Sequence, residues 1–172
     1  MMLIPSLYIN LIDFFSINAS EVGLIFGIVS FCFGVGSLPM SFLYNKFGPK
    51  KLIVFSQLGI LLSAFLVSLS QNVTMFSLSS ILLGLFASIH HPVSLTLISE
   101  IFDKNIAKAN AFHGVFGSIG VSLGPLISYF SLLHFSWHYA FIFTAILNAF
   151  LLPLSLKSVS YTHLRAHETR GN

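Results

Sequence analysis

Five stretches of this chain, at about 22–44, 51–70, 75–98, 108–131 and 137–156, are apolar almost without interruption. Each is roughly twenty residues long, and a helix of that length, rising about 1.5 Å per residue, crosses about 30 Å of hydrocarbon. The runs do not alternate as lipid-facing barrel strands must, so helices are the only spanning structure open to them. Residues 1–12 form a shorter apolar run that reads as the outer half of a sixth span whose beginning is missing. A signal peptide fits it poorly, because no basic region precedes it and no small-residue cleavage site follows. Composition agrees with lipid as the main solvent: 55% of residues are apolar, 8% are charged, 19 are Phe, and mean hydropathy is +0.90. The expected fold class is an all-α membrane protein.

The lysines orient it. Lys46, Lys50 and Lys51 lie between spans two and three, Lys104 and Lys108 between four and five, and Lys157 after span six. The opposite connections, around 18–21, 71–74 and 134–137, carry neither Lys nor Arg. By the positive-inside bias the lysine-bearing side is cytoplasmic. The formal charge of +3 therefore has a topological explanation and does not mark a nucleic-acid partner. Cys32 lies inside an apolar run, so neither a disulfide framework nor a zinc site is expected. His90 and His91, adjacent on a helix, point about 100° apart and would not chelate one ion. No phosphate-cradling loop, nucleophile elbow or pair of intramembrane carboxylates occurs, which argues against an enzyme and against a bound cofactor or metal.

Small residues mark the faces on which these helices associate. Span two starts at Asn18-Ala-Ser-Glu21, a capping-box pattern, and carries Gly23, Gly27, Ser30, Gly34, Ser37 and Ser41 at alternating spacings of four and three. Lipid gives no hydrophobic reward for helix contact, so such a face implies close approach of another helix. Span five repeats the device with Asn110, His113, Gly117, Gly120 and Gly124, followed by Pro125. Span four has a polar-to-small stripe of Ser77, Ser80, Gly84, Ser88, His91 and Ser94, interrupted by Pro92, which can line a cavity or receive a neighbour. For Ser56, Gly59, Ser63 and Ser70 of span three, simple packing is the preferred reading. Span six is rich in Phe, Leu and Ile and reads as a lipid-facing outer helix, with Trp137 and Tyr139 anchoring its outer end at the headgroups. From Ser158 the chain turns polar, and 158–172 reads as a linker or as a translated adapter outside the native protein.

The connection from Ser41 to Lys51, with Leu43, Asn45, Lys46, Gly48, Lys50 and Lys51, resembles the signature loop of the major facilitator superfamily, Gly-x-Leu-x-Asp-Arg-x-Gly-Arg-Lys. Asn45 stands where the family has aspartate, so a charged latch is not carried over. Gly120-x-x-x-Gly124-Pro125 resembles a fifth-span motif of antiporters in that superfamily. The family's fourth-span arginine falls on Ser80, so no proton role comes with it. His90-His91-Pro92 and the segment from Ala111 through His113 to Pro125 resemble the fosmidomycin-resistance branch of efflux proteins. The resemblance covers about residues 1–157. It implies the N-terminal six-helix half of a major facilitator fold, its first span truncated, in a bacterial inner membrane. It further implies alternating access, a small-molecule substrate held between this half and a missing C-terminal half, and a gating loop at 45–51.

His91 and His113 share a depth roughly 10 Å or less from the lysine-side interface, and an imidazole pair there suits proton coupling. The alternative is that each bonds a neighbouring carbonyl. The transport-pathway candidates are Ser80, Gly84, Ser88, His91 and His113; Gly23, Gly27, Gly34, Pro92, Gly117, Gly120, Gly124 and Pro125 serve packing and conformational change. His90 reads as structural, and Asp13 and Glu21 as solvated caps. The leading expectation is a fragment of a secondary transporter of a small organic solute, proton-coupled and directed toward efflux. A complete small polytopic membrane protein with an assembly role is the alternative.

Overall fold

The computed structural model describes residues 3–170, with their side chains except at Asp103 and 157–170. Among the described residues every regular element is helical. The first, α1 (Leu3–Ser6), leads directly into α2 (Tyr8–Phe15), because Leu7 N–H bonds Leu3 O at 3.0 Å and Leu11 N–H bonds Leu7 O at 3.0 Å. Leu3, Ile4, Leu7 and Leu11 line its buried side. Ser16 ends it in the left-handed region, at φ 53°, with its N–H on Ile12 O.

Helix α3 (Ala19–Ser37) opens on the expected capping box: Asn18 Oδ1 accepts from Glu21 N–H at 3.0 Å, and Asn18 N–H donates to Glu21 Oε2 at 2.8 Å. It does not continue to residue 44. Pro39 has no N–H and its ring cannot follow a helical Val35 carbonyl, so the helix stops and Leu38 N–H tightens onto Val35 O at 3.1 Å. The chain restarts as α4 (Met40–Phe47), and the single span expected over 22–44 is therefore two helices. Gly48 joins α4 to α5 (Pro49–Ser68) at φ 77°, a conformation costly for any residue with a Cβ, and Pro49 then occupies the first helical position, where no N–H is needed.

Helix α6 (Val73–Ile101) is capped by Asn72 Oδ1, which accepts from Met75 N–H at 2.9 Å. A short 3-10 turn (Asp103–Asn105) leads to α7 (Ile106–His134), and α8 (Trp137–Arg170) follows. Within α8 the membrane-length apolar segment is Trp137–Leu156, so among the described residues α3, α5, α6, α7 and this segment supply five helices long and apolar enough to span. The backbone of α8 continues into the polar stretch, whose side chains lie outside those described, and the reading of 158–172 as linker or adapter rests on sequence alone.

Packing centres on α5, which lies between α6 and α8; α3 covers the far side of α6. Ser56, Ser63 and Ser70 are buried, and a Cβ at Gly59 would fall within the Phe86 ring, so the small stripe of span three is a packing face as expected. Two apolar cores result. At the lysine-free end, Leu7, Leu11, Val22, Ile25, Val29, Phe76, Trp137 and Phe141 pack together. At the lysine-bearing end, Met40, Tyr44, Leu52, Ile53, Ile89 and Val93 form the second. Trp137 is only 3% exposed and meets the rings of Phe14, Phe15, Phe76 and Phe141 edge-on or tilted, so it is a core residue and not the headgroup anchor expected. Tyr139 does remain exposed.

Candidate functional site

Three groups of candidate residues separate once the helices are assembled. The first is the stripe of α6. Ser80, Gly84 and Ser88 recur every four residues on one face, and that face lies against α3. A Cβ at Gly84 would sit 2.8 Å from Val29 O, and one at Gly36 would collide with Ser88. Ser88 Oγ donates back to Leu85 O at 2.6 Å, while Ser80 Oγ is buried with no partner among the described residues. These three residues therefore sit in a helix seam.

The second group is the histidines. His91 leaves the α3 seam and turns toward α7, where His113 meets it: Nε2 of His113 lies 3.5 Å from Nδ1 of His91, with ring planes 23° apart. Pro92 follows immediately, so α6 loses the backbone bond to Ser88 O beside this pair. His90 points elsewhere, its Nδ1 3.4 Å from Ser56 Oγ of α5, as the structural reading expected. Beyond His113 the face of α7 is open. Cβ atoms built at Gly114, Gly117 and Gly120 meet nothing within 4 Å, and the same holds at Gly23, Gly27 and Gly34 of α3. Gly124, Ser128 and Ser131 are buried, so α7 is anchored from Gly124 onward and largely uncovered over Gly114–Leu123.

The third group is the loop. Asn45 and Lys46 are exposed, and the Lys46 ammonium lies 5.4 Å from the Phe47 ring centroid. Gly48 supplies the positive φ, Lys50 is half-buried and Lys51 exposed. Sequence reasoning missed the contact that ties this loop down: Tyr44 Oη donates to Glu100 Oε2 at 2.6 Å, from α4 to the end of α6. Burial, with the Glu100 carboxylate beside it, pushes the Tyr44 phenol well above its ordinary range. Tyr44 sits four residues after Met40 and both are buried, so the apolar face of α4 was the available signal.

These helices define an all-helical polytopic membrane protein in which polar side chains meet across helix seams, His90 against Ser56 and His91 against His113 among them. A family model for the Major Facilitator Superfamily matches residues 1–171, and the chain belongs to that superfamily. It is 25% identical over 136 residues to a probable L-galactonate transporter of Escherichia coli, covering 78% of this chain and 30% of that protein. It is 26% identical over 147 residues to a probable nitrate transporter of Staphylococcus epidermidis, covering 83% and 37%. A niacin transporter of Acinetobacter baylyi is 25% identical over 134 residues, covering 77% and 30%. The chain thus spans about a third of the length of these curated relatives.

Proposed function

We propose that this chain is the N-terminal half-domain of a secondary active transporter that moves a small solute by alternating access, with His91 and His113 as its proton-responsive element. The observation that carries the reading is the 3.5 Å approach of the two imidazoles beside an uncovered glycine face. An imidazole changes charge between about pH 5 and 8, and two at this distance are not both charged without strong mutual repulsion. Uptake or release of a proton there alters the attraction between α6 and α7, while Pro92 gives α6 a weak point at the same level.

The open faces of α3 and α7 support a partner that this chain does not contain: a second half whose helices pack over Gly23, Gly27, Gly34, Gly117 and Gly120. The loop at 45–51 moves with α6, held by Tyr44 and Glu100, and acts as a gating contact through Lys46, Lys50 and Lys51, with no carboxylate latch because Asn45 carries no charge. The lysine-bearing end faces the cytoplasm of a bacterial cell by the positive-inside bias. The relatives are named for L-galactonate, nitrate and niacin, which supports a small, acidic solute as cargo. The outward direction rests on the His-His-Pro and His-Gly resemblance to the fosmidomycin-resistance branch.

The test is transport by the full-length protein in proteoliposomes across pH 5 to 8. His113→Ala flattens the pH dependence while leaving the protein folded. A pH profile unchanged from wild type removes the proton role, and vesicles of opposite orientation decide the direction.

A further inference from the structure

We propose that His91 and His113 also form a binding site for a divalent transition-metal ion of the zinc, nickel or copper class, bridging α6 to α7. The two nitrogens are 3.5 Å apart, longer than a good N–H···N hydrogen bond at about 2.7–3.2 Å. One ion at about 2.0–2.1 Å from each nitrogen subtends an angle of about 115° at that separation, close to tetrahedral. The torsion that orients an imidazole ring is broad, so both lone pairs can turn to one point without strain. Neutral imidazole nitrogens suit zinc, copper and nickel and discriminate against magnesium and calcium, which take oxygen.

The surroundings leave room for the rest of the coordination sphere. His91 is exposed and His113 half-buried, so the helices around the pair do not close it off. Asn110 lies one turn before His113 on α7, and its Oδ1 is buried without a hydrogen-bond partner among the described residues. His90 is turned to Ser56 and supplies no third nitrogen. Among the described residues no group of three or more His, Cys, Asp or Glu comes together, so the site holds an ion through two protein nitrogens and exchanges it readily. Its effect is mechanical. Near the lysine-bearing end α7 is otherwise little packed, and a bridging ion fixes it to α6.

The purified chain, free of any histidine tag, with His163 and His167 of its polar tail replaced by alanine and held in lipid nanodiscs, is titrated with copper(II) for electron paramagnetic resonance and with zinc chloride for thermal unfolding. Wild type shows two imidazole nitrogens on copper, and zinc raises its unfolding temperature by several degrees while magnesium does not. His91→Ala and His113→Ala each show one nitrogen and no zinc shift, and His134→Ala, at the opposite end, behaves as wild type. Where an alanine variant does not fold, His91→Gln and His113→Gln replace it. Two nitrogens persisting in either single variant, or a wild type that ignores zinc, overturns the site. Neither outcome bears on the pH dependence of transport, so this inference and the proton reading fail separately.

Discussion

Replacing Gly84 with alanine is the sharpest probe of the α3–α6 seam. The added Cβ would lie 2.8 Å from Val29 O and 3.1 Å from Val29 Cγ1. The valine side chain can turn away, but the carbonyl belongs to the α3 backbone and has no rotamer. The helices must separate by about half an ångström to restore ordinary contact, loosening every neighbouring pair along the seam. Overpacking of this kind costs about 1–3 kcal/mol, or roughly 5- to 150-fold in the unfolding equilibrium. The chain's single tryptophan supplies the assay, because Trp137 is buried among Phe76 and Phe141 and its fluorescence reports loss of that core. Unfolding in mixed micelles is followed for Gly84→Ala and for Gly117→Ala, where an added Cβ meets nothing within 4 Å. At the open site alanine costs no contact and gains about 0.5–1 kcal/mol of backbone entropy. The reasoning is refuted if Gly84→Ala is as stable as wild type, or if Gly117→Ala is equally destabilised in this chain. In the full-length protein the Gly117 result should reverse sign, because the proposed second half closes over that face.

Three further outcomes are expected. Tyr44→Phe removes the bond to Glu100 and lowers stability by about 1 kcal/mol, below the roughly 1.5–3 kcal/mol of a charge-assisted bond because Glu100 is solvent-exposed. The Tyr44 phenol is raised in the folded state, so its contribution is fully present below the ordinary phenol value of about 10 and is lost as pH rises above it. Wild type therefore loses stability in alkali by a component that Tyr44→Phe lacks, and parallel alkaline unfolding curves would count against the contact. Asn18→Ala deletes the α3 capping box at a cost of about 1 kcal/mol, while Asn18→Ser restores most of it; thermal unfolding reads both.

How far the site was legible depended on the range of the interaction. The α3 cap was readable because Asn18 and Glu21 are three residues apart and satisfy each other within one turn. The break at Pro39 was equally local, yet the unbroken hydropathy of 22–44 concealed it, since apolarity records the solvent and not the backbone. His91 and His113 could be matched in depth from their distances to the helix ends. Their contact depends on the rotation of α6 and α7 about their axes, which no single-helix pattern specifies. Tyr44 and Glu100 are 56 residues apart and meet only because α4 folds back against α6.

By itself the sequence determined the environment and the menu of structure: runs of about twenty apolar residues leave a helix as the only way to satisfy every backbone group in lipid. It determined which faces are small and, through the lysines, which end carries the charge. The tertiary structure decided what those small faces touch. Ser80, Gly84 and Ser88 are closed against α3, while Gly117 and Gly120 stay open, although both stripes follow the helical period. The physical reason is that a small residue permits close approach without naming a partner. Seating Val29 over Gly84 and the Phe86 ring over Gly59 selects one pairing of helices, and that pairing places Trp137 in the core and His113 against His91.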